Sequence, residues 1–140
     1  MKKFILYPVV IISLLLFACE PEEEEDPPSD DLRDKIENTW NCNEVSSLYG
    51  ETNYSGVDIV KDENTSDLIK IYNFNHLGNN FYLKAKLSNT NLTITSQQID
   101  GNTVNGTGSI TNNYNKIDWN YYIDDGSGDI DTCTAVYTPI

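Results

Sequence analysis

The chain has 140 residues, with 22 acids against 9 bases, one His, three Cys and a formal net charge of −13. That length holds one domain of ordinary size. So acidic a balance excludes a surface built to neutralise nucleic-acid phosphates. One His and three Cys leave little for a metal or redox centre, so neither a metal nor a cofactor is expected.

Lys2 and Lys3 open the chain, followed by a nearly unbroken apolar run over 4–17, interrupted only by Pro8 and Ser13. A membrane-crossing helix takes about 20 apolar residues, so this run reads as a cleaved signal over 1–18. It ends in Leu16-Phe17-Ala18-Cys19. That ending resembles the lipobox of bacterial lipoproteins, although Phe17 is bulkier than the usual occupant. The resemblance implies that Cys19 becomes the lipidated N-terminus and holds the chain on a membrane. An ordinary signal peptide with a coincidental Cys is the plainer alternative.

Residues 20–31 carry eight acids, three prolines and no base. Like charges repel and proline resists regular pairing, so 19–31 reads as an extended tether. An acidic run directly after the lipidated Cys also resembles the surface-export signal of some Gram-negative lipoproteins. It implies an outer-membrane location facing the cell exterior; a simple spacer is the alternative. From Leu32 onward 14 acids face 7 bases, so the domain over 32–140 is only moderately acidic. That balance keeps it soluble and names no substrate.

Residues 29–37 read as one short helix, with Ser29, Asp30 or Asp31 as its cap and Leu32, Ile36 and Trp40 on its apolar stripe. Beyond it the period becomes two. Strands are predicted over 39–48, 56–61, 68–74, 81–87, 92–98, 103–111, 116–124 and 130–138. In the seventh, Ile117, Trp119, Tyr121 and Ile123 share one face. In the fourth, Phe81, Leu83, Ala85 and Leu87 are expected inward. The third leaves two faces in competition, Ile69 and Ile71 against Leu68, Tyr72 and Phe74. Val104, Gly106, Gly108 and Ile110 put two glycines on an inner face, where a small barrel bends its strands. Asp100-Gly101 suits a type I′ hairpin turn. The run 124–131 offers four carboxylates in a hairpin position, without calcium-loop spacing, and reads as a turn rather than a metal site.

Short polar links between successive strands give antiparallel neighbours, and eight of them give an all-β, up-and-down meander. Closing the meander into a barrel removes its two bare edges. With Cys19 lipidated, Cys42 and Cys133 remain. Two cysteines in an exported domain predict one disulfide, joining strand one to strand eight and adding about 4–5 kcal/mol by loop closure. Two free buried thiols are the alternative.

A short helix, Trp40 at the start of strand one and eight meander strands together make residues 30–140 resemble a lipocalin-like (calycin) barrel. Asn38 stands where the family's Gly-x-Trp motif has Gly. Asp118-Trp119-Asn120-Tyr121 is similar to its second motif, and the family's Arg after the last strand is missing. The resemblance implies a helix plugging one end and a ligand mouth at the other. The connections over 49–55, 75–80, 100–102 and 125–129 would ring that mouth. Tyr49, Tyr54, His76, Asn79, Trp119 and Tyr121 are the candidate ligand-binding residues, for a small ligand or a glycan. The competing expectation is a barrel filled by its own side chains, acting as a protein-interaction module of the inhibitor or adhesin kind. No catalytic constellation is visible, so the chain is expected to be a non-enzymatic monomer that binds no nucleic acid.

Overall fold

A computed structural model describes residues 30–140; the expected signal peptide over 1–18, Cys19 and most of the expected tether over 19–31 lie outside the described residues. The described chain is a closed barrel of eight antiparallel strands in sequential order. They are β1 (Asn38–Ser46), β2 (Gly50–Lys61), β3 (Leu68–Tyr72), β4 (Tyr82–Ser88), β5 (Asn91–Ile99), β6 (Asn102–Ile110), β7 (Ile117–Asp124) and β8 (Ile130–Pro139). The expected up-and-down barrel is therefore the fold. Pairing of β1 with β8, from Trp40 opposite Pro139 to Ser46 opposite Cys133, closes it. Among the described residues one continuous hydrophobic core fills it.

The alternation that predicted the strands is visible as burial. Along β7, Ile117, Trp119, Tyr121 and Ile123 are buried while the residues between them are not. β3 resolves in favour of Ile69 and Ile71, both fully buried. Asp100 and Gly101 take φ of 46° and 81°, the two positive values a type I′ turn requires. Gly106 stands opposite Tyr121 and Gly108 opposite Trp119. A Cβ on Gly108 would lie 2.7 Å from the Trp119 ring, so this glycine makes room for the indole.

Three expectations are corrected. The helix expected over 29–37 is a single 3₁₀ turn, Leu32–Lys35, capped by the Asp31 side chain. Arg33 is buried in that turn. Its Nη1 donates to the carbonyls of Asp62, Thr65 and Leu68 at 3.2, 2.9 and 3.1 Å, and Asp31 receives its Nε and Nη2. Arg33 thus ties the turn to the β2–β3 connection at one barrel end. Trp40 Nε1 donates to the Ile36 carbonyl there at 3.1 Å.

Phe81 lies before β4 and is exposed rather than inward. The chain turns inward earlier, through left-handed Asn73, and buries Phe74 in the core instead. The disulfide is also absent. Cys42 and Cys133 both point inward, as the alternation required, but both are free thiols. Cys42 stands opposite Tyr137, and Cys133 stands opposite Ser46. The offset is four residues, about 13 Å along the strands, where a disulfide needs α-carbons within about 7 Å. Burial pushes both thiols up to about 12, so they stay protonated.

Candidate functional site

The barrel interior is packed rather than hollow. Trp40, Trp119, Tyr121, Tyr137 and Phe74 are all fully or almost fully buried. Phe74 meets Tyr121 at 4.7 Å between ring centroids and Trp119 at 6.3 Å, and Trp119 meets Tyr137 at 5.9 Å. These rings occupy the space a deep ligand calyx would need.

Above them, at the end opposite the N-terminal turn, sits a cup of about 260 Å³. Its lining comes from the top of β1, the β1–β2 turn, the β3–β4 loop and the β7–β8 connection. The residues include Glu44, Ser46, Tyr49, Asn75, His76, Asp125, Asp129 and Asp131. Four of these are carboxylates, and among the described residues no Lys or Arg lines the cup. The field inside therefore favours a cationic group or a ligand rich in hydrogen-bond donors.

Glu44 forms the floor. Inward alternation along β1 runs Trp40, Cys42, Glu44, Ser46, so this charged residue is carried to the inside and is only 5% exposed. Its Oε2 accepts the Tyr54 hydroxyl at 3.0 Å and the Tyr121 hydroxyl, and its Oε1 accepts Asn75 Nδ2 at 2.8 Å. Burial raises the pKa of both tyrosines well above the ordinary phenol range, so both remain donors. A buried carboxylate is tolerable when it is hydrogen-bonded in this way. Asp131, at the matching inward position of β8, accepts Ser46 Oγ at 2.7 Å, Ser47 Oγ at 3.0 Å and the Leu48 amide at 3.3 Å. Burial raises its pKa, but these donors outweigh burial and leave it below the ordinary value.

The β3–β4 loop holds its shape through strained backbone. Asn73, Asn75 and His76 all have positive φ, which costs free energy for non-glycine residues. Asn73 secures the loop: its Nδ2 reaches the Ser55 and Gly56 carbonyls and its Oδ1 accepts the Gly78 amide at 2.9 Å. The outcome is that Asn75 reaches Glu44 while His76 stacks on Tyr54, 5.0 Å apart and 18° from parallel.

Of the six candidate ligand residues, the structure brings Tyr49 and His76 to the cup wall. Tyr54 lies on β2 rather than in a loop, and it reaches the site through Glu44 and His76. Tyr121 supports the floor from within the core. Trp119 belongs to the packed core and is not among the lining residues. Asn79 lies elsewhere, on a trough of about 510 Å³ along the outer wall, with Thr39, Asp58 and Tyr72. Sequence reasoning missed Glu44, Asn75 and Asp131. The signal for two of them was available: once Trp40, Cys42, Cys133 and Ala135 are inward, Glu44 and Asp131 must be inward as well.

The fold and site together define a class, a small eight-stranded antiparallel barrel with a filled core and an acidic cup at one end. Compared with protein-family models, curated proteins and solved structures, the chain matches none.

Proposed function

We propose that this chain is a non-enzymatic binding module, a lipocalin-like barrel that takes a small polar ligand, a sugar or an organic amine, in its open-end cup. The observation that carries the reading is the floor of the cup. A buried carboxylate, Glu44, is presented by three side-chain donors beneath a concavity that no Lys or Arg of the described residues lines. Ligand sites commonly combine a concave wall with a few fixed polar groups. The filled interior argues for a shallow polar ligand over a long apolar one. The lipobox-like Leu16–Cys19 stretch and the acidic run after it support a lipid anchor at Cys19 and display on the outer face of an outer membrane, with the barrel acting as a monomer.

The test is amide-resolved titration of residues 30–140 with galactose, N-acetylglucosamine and putrescine. Saturable shifts confined to 44–49, 75–76 and 123–131, weakened at least about tenfold in Glu44→Gln, are expected for one probe. Absence of such shifts with all three overturns the reading. The anchor is tested separately in the full chain. Incorporation of a clickable palmitate that is lost in Cys19→Ala is expected, and labelling that survives the substitution overturns it.

A further inference from the structure

We infer that the outer corner of the barrel where β1, β8 and β7 meet the open rim is a docking surface for a basic protein partner. Among the described residues nine large apolar side chains are exposed, and six of them belong to this corner: Val45, Leu48, Tyr49, Tyr122, Ile130 and Val136. The sheet register makes them neighbours. Val45 stands opposite Thr134, two residues from Val136 on the same face, and Tyr122 stands opposite Thr132. The β1–β2 turn is fastened to β8. The Ser47 amide donates to the Thr132 carbonyl at 3.0 Å, and the Leu48 amide donates to Asp131 at 3.3 Å. Leu48 and Tyr49 are thereby held on the rim beside Ile130. Tyr49 is 79% exposed and Ile130 58%. Apolar side chains gathered on one face and rimmed by polar groups mark an interaction surface, whereas scattered ones do not. Because the turn is tied down at both ends of its hydrogen-bond network, docking would cost little ordering.

Charge selects the occupant. Glu51, Asp124, Asp125 and Asp129 surround the corner at the rim, with no Lys or Arg of the described residues among them; away from the rim Lys116 is held at 2.8 Å by Asp118, which stands opposite Val136. A second copy of the chain would bring these carboxylates face to face, and an anionic membrane surface would be repelled in the same way. A protein surface with apolar side chains flanked by Lys or Arg meets both features, and opposite charge would also speed the encounter. Leu48, Tyr49, Asp125 and Asp129 also border the cup, but the inference concerns the apolar corner and does not require the cup to take a small ligand, which Glu44→Gln tests separately.

The test uses residues 30–140, whose closed barrel contains its own core. Three peptides of equal length serve as probes: alternating Lys and Leu, alternating Glu and Leu, and alternating Lys and Gly. The Lys–Leu peptide is expected to bind at least about tenfold more tightly than either control, with amide shifts at 45–49, 122 and 130–136. The triple variant Leu48→Ser, Tyr49→Ser, Ile130→Ser should reduce its binding to the Lys–Gly level with an unchanged melting temperature. If that variant is destabilised, Ile130→Ser alone is used, a residue outside the cup lining, and it should still weaken the Lys–Leu peptide selectively. Equal binding of the Lys–Leu peptide and either control overturns the inference, as do shifts mapping to another wall. So does a wild-type dimer in sedimentation that the variant abolishes, which would make the corner a self-association face.

Discussion

Gly106 shows how tightly one residue can be specified. A Cβ there would lie 2.5 Å from the Asn120 carbonyl oxygen and 2.5 Å from the Tyr121 Cβ. Backbone cannot step aside as the end of a flexible side chain can. Gly106→Ala is therefore expected to destabilise the barrel by about 1–3 kcal/mol, as overpacking typically does. Urea denaturation measures it, and an unchanged midpoint would mean that β6 and β7 part more readily than their packing implies. The alternation Val104, Gly106, Gly108, Ile110 had placed this glycine inward. What it could not supply was the reason, because the ring of Trp119 and the backbone of Tyr121 come from a neighbouring strand. Glu44 failed to stand out for the opposite cause. Its place in the alternation was readable, but a carboxylate on an inner face looks like an error until Tyr54, Tyr121 and Asn75 are seen to converge on it.

Among the elements, hydrophobic period settled existence and order, and irregular pairing settled the rest. β2 begins at Gly50, not at 56, because its first half is a polar run that pairs only with β1. A stretch in which only Tyr54 turns to the core writes little alternation into its sequence. The disulfide failed for a related reason. Parity says which face a Cys points to, while the register of β1 on β8 sets how far along the strand it lies, and a single sequence does not encode that register.

The β4–β5 pair is equally irregular. Its ladder stops at Lys86 opposite Thr93. Above that point Gln97 substitutes for backbone: its Oε1 accepts the Lys84 amide at 2.8 Å and its Nε2 donates to the Lys84 carbonyl at 2.7 Å. Gln97→Ala leaves both groups of Lys84 to find water, at an expected cost of about 1–2 kcal/mol. Hydrogen exchange at Lys84 should quicken while exchange at Leu87 stays slow. Unaltered protection at Lys84 would show that the two strands close the gap without the side chain.

Over the whole barrel, charge separates by end. Seven acids lie around the open end: Glu44, Glu51, Asp100, Asp124, Asp125, Asp129 and Asp131. From Leu32 onward the other seven acids are matched by seven bases on the closed end and the β3–β4 wall, several in contact, as Lys84 with Asp62 at 2.9 Å and Lys86 with Asp67 at 3.0 Å. The domain's net negative charge is thus the charge of its mouth. Two carboxylates secure the ends themselves. Asp31 holds Arg33 and the N-terminal turn at the closed end, and Asp131 holds the β1–β2 turn at the open one.

Hydrogen bonding to Arg33 lowers Asp31 from 3.8 to about 2. Asp131 is lowered despite the opposing effect of burial, because Ser46, Ser47 and the Leu48 amide donate to it. A carboxyl whose pKa is depressed on folding stabilises the fold above its unfolded value and loses that contribution as pH falls through its folded value. Both contributions should therefore be present above about pH 4 and fade as pH falls below it, that of Asp31 toward about pH 2. Asp31→Asn and Asp131→Asn are each expected to unfold at lower urea than the wild type at pH 7, with each gap narrowing as pH falls below about 4, and that of Asp31 closing toward about pH 2. A gap that stays constant across that window would mean the two residues act by shape alone. In that case the ends of the barrel would be held by packing, and the charge of the mouth would play no part in keeping it open.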